Sequence, residues 1–211
     1  MQASYRWPTA LVAALMLSAC STQDSTTDPV SPPPSPASAP AAVTGKVPIL
    51  TGGTPAVVIL EPRHTDHEPA PNSMPVMDQV ARSFIPPILF VRTGHAAEFR
   101  NSDDELHNIN VRDGVTHQQA FNVAVPTGEQ YLYTFKGTGV YDVSCDIHAG
   151  MSAQIVATST PYATLADPEG RFLFPDVVRG TYTLTVYAGV RTIERTVDVA
   201  GPRTEVDATE P

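Results

Sequence analysis

The sequence predicts an all-β chain, and three observations carry that reading. Apolar and polar side chains alternate with period two in several runs, most cleanly where Tyr182, Leu184 and Val186 take one face and Thr181, Thr183 and Thr185 the other. Turn chemistry recurs between such runs, at Arg92-Thr93-Gly94, Lys136-Gly137-Thr138-Gly139, Pro168-Glu169-Gly170 and Arg179-Gly180. The runs are short and spaced about 8 to 12 residues apart, the interval of a sandwich or open barrel. Composition agrees: of 211 residues 42% are hydrophobic, enough for a core, and 21 Pro and 13 Gly punctuate it. A net charge of -9 leaves no cationic surface to neutralise phosphates and argues against a nucleic-acid partner. No apolar run reaches the roughly 18 residues of a permanent membrane span.

In chain order, Arg6 gives a short basic start, Thr9 to Met16 a brief apolar stretch, and Leu17-Ser18-Ala19-Cys20 follows at the distance of an export-signal cleavage site. The tetrapeptide resembles a bacterial lipobox. The resemblance implies a signal peptide over 1–19 and a lipid on Cys20, hence a chain anchored to a membrane in the cell envelope. It would face the periplasm or the exterior, and Ser21 points to the outer membrane in a Gram-negative cell. Residues 21–42 hold six prolines in 22 positions and almost no large apolar side chains, too little to offset chain entropy. Segment 20–42 is therefore expected to be a disordered tether, reaching at most about 70 Å.

Folding is expected from Val43. Candidate strands are Pro55–Leu60, Ile88–Arg92, Ala96–Arg100, His107–Val111, Glu129–Phe135, Val140–Cys145, Ala153–Thr158, Thr181–Tyr187 and Thr192–Val199. Met77 to Ser83 (MDQVARS) reads as a short helix. His64 and His67 stand in a proline-flanked, polar run that reads as an exposed loop, with an auxiliary metal-loading site as the alternative; His95 and His117 receive no role.

The chemistry concentrates in Cys145-Asp146-Ile147-His148-Ala149-Gly150-Met151, directly after a predicted strand. A thiol, an imidazole and a thioether are the soft or borderline donors that suit copper, and a weak thioether suits an electron-transfer site. On a helix the sixth-following residue would swing away from the other two, so convergence requires a tight loop at a strand end. Singly, a buried Cys is usually a small hydrophobe and a Met core filler. Structural zinc would want four closed Cys or His ligands, and only one Cys is at hand beside the lipidation candidate. Neither Cys-x-x-Cys nor Cys-x-x-Cys-His occurs, which removes thioredoxin-like and c-type haem chemistry.

A further ligand on another strand is offered by Asn101 to Asn108 (NSDDELHN). Here the sequence resembles the cupredoxins, the blue-copper proteins of plastocyanin and amicyanin type, over roughly 77–158. The likeness rests on the His-Asn pair, the Cys-x-x-His-x-x-Met loop, and the run Gln79 to Asn108 with Phe84 followed, after Ile85, by proline. It implies a Greek-key β-sandwich over 75–160 and one type 1 copper ion. His107, Cys145 and His148 would be its strong ligands and Met151 its weak axial one. Asn108 would brace the ligand loops near the sulfur. Ala149 stands where many relatives have Pro. The resemblance further implies a non-enzymatic electron carrier with His148 as its port to a redox partner, such as a cytochrome or a periplasmic dehydrogenase. Asp103, Asp104 and Glu105 offer steering for a basic partner, or form an ordinary solvated loop. The alternative function is copper sequestration or delivery; a thiolate among the ligands favours the carrier.

Tyr162 to Gly201 resembles the second half of a carboxypeptidase-regulatory-like β-sandwich, and Gly45 to Leu60 its opening. The expectation is a small second sandwich built from 43–62 and 161–201 around an inserted cupredoxin, with 202–211 a tail.

Overall fold

The computed structural model describes residues 39–51, 55–64 and 73–210. The signal peptide, Cys20, most of the tether and His67 lie outside the described residues.

Among the described residues the structure is all strand. The chain enters with β1 (Ala41–Lys46) and β2 (Val57–Pro62). Nine strands follow: β3 (Val76–Val80), β4 (Ser83–Ile85), β5 (Ile88–Arg92), β6 (Ala96–Asn101), β7 (His107–Asp113), β8 (Gln119–Val125), β9 (Gln130–Thr134), β10 (Gly139–Ser144) and β11 (Ser152–Thr158). The chain ends with β12 (Ala163–Leu165), β13 (Arg171–Val177), β14 (Gly180–Ala188), β15 (Arg191–Val199) and β16 (Arg203–Asp207).

Two sandwiches result, each with its own core. Sheets β5-β11-β10-β7-β8 and β4-β3-β6-β9 enclose Met77, Phe99, Ile109, Val111, Phe135 and Ile155. Sheets β13-β1-β16 and β12-β2-β14-β15 enclose Val43, Val58, Leu60, Phe172, Leu184 and Val186. Full burial of each such side chain is worth about 1.5–3 kcal/mol. The alternation explains the faces: Tyr182, Leu184 and Val186 are at most 3% exposed. In the second sandwich β1 pairs with β13, and β2 pairs with β12 and β14. Strands on either side of the β3–β11 stretch thus share sheets.

Three expectations are corrected. Residues 77–83 are no helix: β3 runs parallel to β6, burying Met77 and Gln79 at alternate positions, and turns tightly into β4. That two-residue turn puts Ala81 at φ 50° and Arg82 at φ 55°, the left-handed pair that matches strand twist in a hairpin. Residues 202–211 are no tail, because β16 lies parallel to β1 and carries Ala208 into full burial. The tether does not extend to 42, since Ala41 and Ala42 already belong to β1 and Ala41 is buried against Val177 and its neighbours.

Candidate metal centre

The site is built at one end of the five-stranded sheet, where β7 begins and β10 ends. In the antiparallel β10–β7 pair Ser144 lies opposite Asn110, so the chain leaving β10 arrives beside Asn108 and His107. Alternation along β7 turns Ile109 and Val111 into the core, and His107, on the same face, is fully buried. Gly150, at φ 88°, lets the 145–151 loop turn back, and Cys145 N–H donates to Met151 C=O at 3.3 Å.

The loop and strand bring three donor atoms together. His107, Cys145 and His148 present ligand atoms that all lie within 4.8 Å of one another. Cys145 Sγ is 3.9 Å from Nδ1 of each histidine, and the two Nδ1 atoms are 2.9 Å apart. The rings meet edge to face, with centroids 4.6 Å apart. Cys145 and Met151 are both buried in the core of this sandwich, Met151 closing the loop beneath. A thiol and two imidazoles convergent through Nδ1 form a donor set that fits copper, and the apolar wall behind them keeps water from the sulfur.

Each histidine uses its other nitrogen outward. His107 Nε2–H donates to Asp103 at 2.9 Å, and His148 Nε2 lies 3.0 Å from Glu105 Oε2. Asp103 in turn accepts the N–H groups of Arg82 and Ala81, the left-handed hairpin residues, and these bonds hold its carboxyl below the usual range. Glu105 receives a forked pair from the Arg82 guanidinium at 2.6 and 3.2 Å, which lowers its pKa. Carboxylates on Nε2 fix the tautomer that leaves the Nδ1 lone pairs free to bind. Two of the three loop acids are thereby committed to the histidines, while Asp104 is exposed.

Asn108 links β7 to the 145–151 loop. Its Oδ1 accepts the Asp146 N–H at 2.7 Å and lies 3.3 Å from Cys145 Sγ. Its Nδ2 donates to Asn122 and to the Asp146 carboxylate. Asn110 and Asn122, cross-strand neighbours on β7 and β8, donate to the same carboxylate. Amides from Asn110, Asn122 and Asn108 hold the Asp146 pKa down. Sequence reasoning missed Asp146, Asn110, Asn122, Arg82 and the inward use of Asp103 and Glu105. The alternation of Asn108 and Asn110 on one strand face was the available signal. His64, His95 and His117 are exposed and do not join the cluster.

Comparison with known proteins agrees with this geometry. Residues 74–158 match the family model of copper binding proteins, plastocyanin/azurin family. This part of the chain is a cupredoxin domain, and its cofactor is copper. Similar solved structures include amicyanin from Paracoccus versutus, 19% identical over 42% of this chain and 85% of that one, with a TM-score of 0.37. A purple cupredoxin from Nitrosopumilus maritimus is 22% identical over 39% and 98%, with a TM-score of 0.35. A Cu-containing nitrite reductase from Thermus scotoductus is 26% identical over 46% of this chain but 25% of its own length, with a TM-score of 0.38. No curated protein matches the chain. A second family model, polysaccharide lyase family 4 domain II, matches residues 122–206. It overlaps the first over β8–β11, which pair within the cupredoxin sheets; the rest, β12–β16, lies in the second sandwich.

Proposed function

We propose that the chain is an extracytoplasmic one-electron carrier, held to a membrane by a lipid on Cys20 and reading a redox partner protein through His148. The observation that supports it most is the convergence of Cys145 Sγ with two imidazole Nδ1 atoms at the end of a cupredoxin sheet. His107, Cys145 and His148 would hold the copper, with Met151 as the weak fourth ligand. When bound, copper supplies a one-electron couple between Cu(II) and Cu(I).

The chain's own residues supply the rest. Asp103 and Glu105 orient the two rings before any metal arrives, and the Asn108–Asp146 pairing holds the thiol against β7. A rigid donor set changes little between oxidation states, which keeps transfer fast. The His148 side chain is 19% exposed while His107 is sealed, so His148 is the edge nearest a docked partner. Exposed Leu106 and Ile147 adjoin the two histidines in sequence and give that edge an apolar rim.

The test is the visible spectrum of the copper-loaded chain from residue 39 onward. An intense band that disappears in Cys145→Ser supports the carrier. A colourless Cu(II) complex would transfer the proposal to copper sequestration or delivery. Anchoring is checked separately: Cys20→Ala in the full chain should move the protein from the membrane fraction to the soluble one.

A further inference from the structure

The carboxylates around the donor set are arranged one behind each donor residue. Asp103 stands on His107 Nε2 at 2.9 Å and Glu105 on His148 Nε2 at 3.0 Å. Asp146 follows Cys145 in the chain, and its carboxylate meets the Asn108 amide whose oxygen touches the sulfur. The neighbours of these carboxylates differ in charge. Asp146 accepts from three neutral side-chain amides. Asp103 is satisfied by two backbone N–H groups and His107. Glu105 pairs directly with a guanidinium, that of Arg82 at 2.6 Å, while Asp103 and Asp146 feel Arg82 and Arg112 only at longer range.

We propose that Asp103, Glu105 and Asp146 are positioning residues that lower the reduction potential of the copper centre, and that Arg82 opposes them by masking Glu105. The inference rests on the carrier reading above. The physical ground is that a fixed negative charge stabilises Cu(II) over Cu(I), because the oxidised ion carries one more positive charge. The effect is strongest where solvent screens least, and the His107 side chain that relays Asp103 is fully buried. A carboxylate on the outer nitrogen of a ligating histidine also makes that ligand more basic, which acts in the same direction. Glu105 and Arg82 are the more exposed pair, and their effect is screened by salt.

The experiment is a potentiometric titration of the copper-loaded chain, followed through its visible band, on Asp103→Asn, Glu105→Gln, Asp146→Asn and Arg82→Gln. The first three should shift the potential upward and Arg82→Gln downward, with the Glu105 and Arg82 shifts shrinking in high salt. Opposite signs from two residues that touch each other are not what loosened packing would give. Copper stoichiometry and a thermal melt of each variant accompany the titration. If Asp103→Asn does not fold, because it loses its hold on the hairpin, the exposed Glu105→Gln and Arg82→Gln pair still decides. Unshifted potentials with the band intact would overturn this inference and leave the carrier reading standing, as would shifts of the same sign in Glu105→Gln and Arg82→Gln. A wild-type chain that takes up no copper would overturn both.

Discussion

Asn108 and Asp146 grip each other at two points: the amide oxygen accepts the Asp146 N–H at 2.7 Å, and the amide nitrogen donates to the Asp146 carboxylate at 3.0 Å. A single side chain on β7 thereby fixes both the backbone and the side chain of the residue after the thiol. Strand order explains why this residue can do so, since Ser144 lies opposite Asn110 and the next step of the ladder falls at Asn108.

Asn108→Ala should therefore cost about 1–3 kcal/mol, the usual penalty for unpairing polar groups that have left water. Chemical denaturation of the metal-free chain measures it. The copper-loaded variant should also show a broadened visible band, because the sulfur loses the neighbour that fixes it.

The β3–β4 hairpin carries a second prediction. Ala81 sits at φ 50°, where an L-residue pays about 1–2 kcal/mol that glycine does not. Ala81→Gly keeps the N–H that Asp103 accepts and should stabilise the fold by about 1 kcal/mol, after the entropy glycine loses on folding. A thermal melt should show a rise in midpoint with the copper spectrum unchanged.

Gly45 marks the tightest approach in the second sandwich. A Cβ there would stand 2.1 Å from the Val206 carbonyl oxygen and 2.7 Å from the Phe172 ring. Gly45→Ala should force β1 away from β16 and cost about 1–3 kcal/mol, as overpacking does. Hydrogen exchange should show faster opening at β16, with protection at β7 and β10 retained.

Acid should weaken the fold through its capped turns. Asp113 accepts the Thr116 and Val115 N–H groups and the Thr116 hydroxyl, and its pKa is lowered by them. Asp167 is lowered in the same way by Arg171 and Glu169 N–H groups in the second sandwich. A carboxyl whose folded pKa lies below its unfolded one stabilises the fold above the unfolded value. That contribution is lost as pH falls through the folded one, here below about pH 4. Melting midpoints recorded from neutral pH downward should fall in that range, and Asp113→Asn should flatten part of the slope.

The strands that were legible in the sequence are those whose pattern is local. β14 and β15 alternate, and glycine turns bound them, so their places could be read directly. β3 was misread because Asp78 and Gln79 break an apolar run, yet Gln79 is fully buried and donates to the Arg100 carbonyl at 3.3 Å. β16 was missed because its charged residues pair with β1, more than 150 residues earlier, and no local period records such a partner. The same division holds at the site. The Cys-x-x-His-x-x-Met loop could be picked out by residue type and spacing, and the cupredoxin resemblance added His107 and the ligand roles. The carboxylates behind them could not, since Asp103 and Glu105 meet their histidines only through the bend between β6 and β7.

The point where the chain leaves and re-enters the second sandwich also orders events in time. Thr160 Oγ1 donates to the Leu60 carbonyl at 3.0 Å across a separation of 100 residues, and Leu60 N–H donates to Tyr162 C=O beside it. Closing a loop of that length from a disordered chain is slower and entropically dearer than closing one of about ten residues, by about 2 kcal/mol. Once β3 to β11 have folded, the gap shrinks to the short distance between their ends. A β3 to β11 unit that folds first would therefore act as a splint for the sandwich around it, sparing most of that closure entropy.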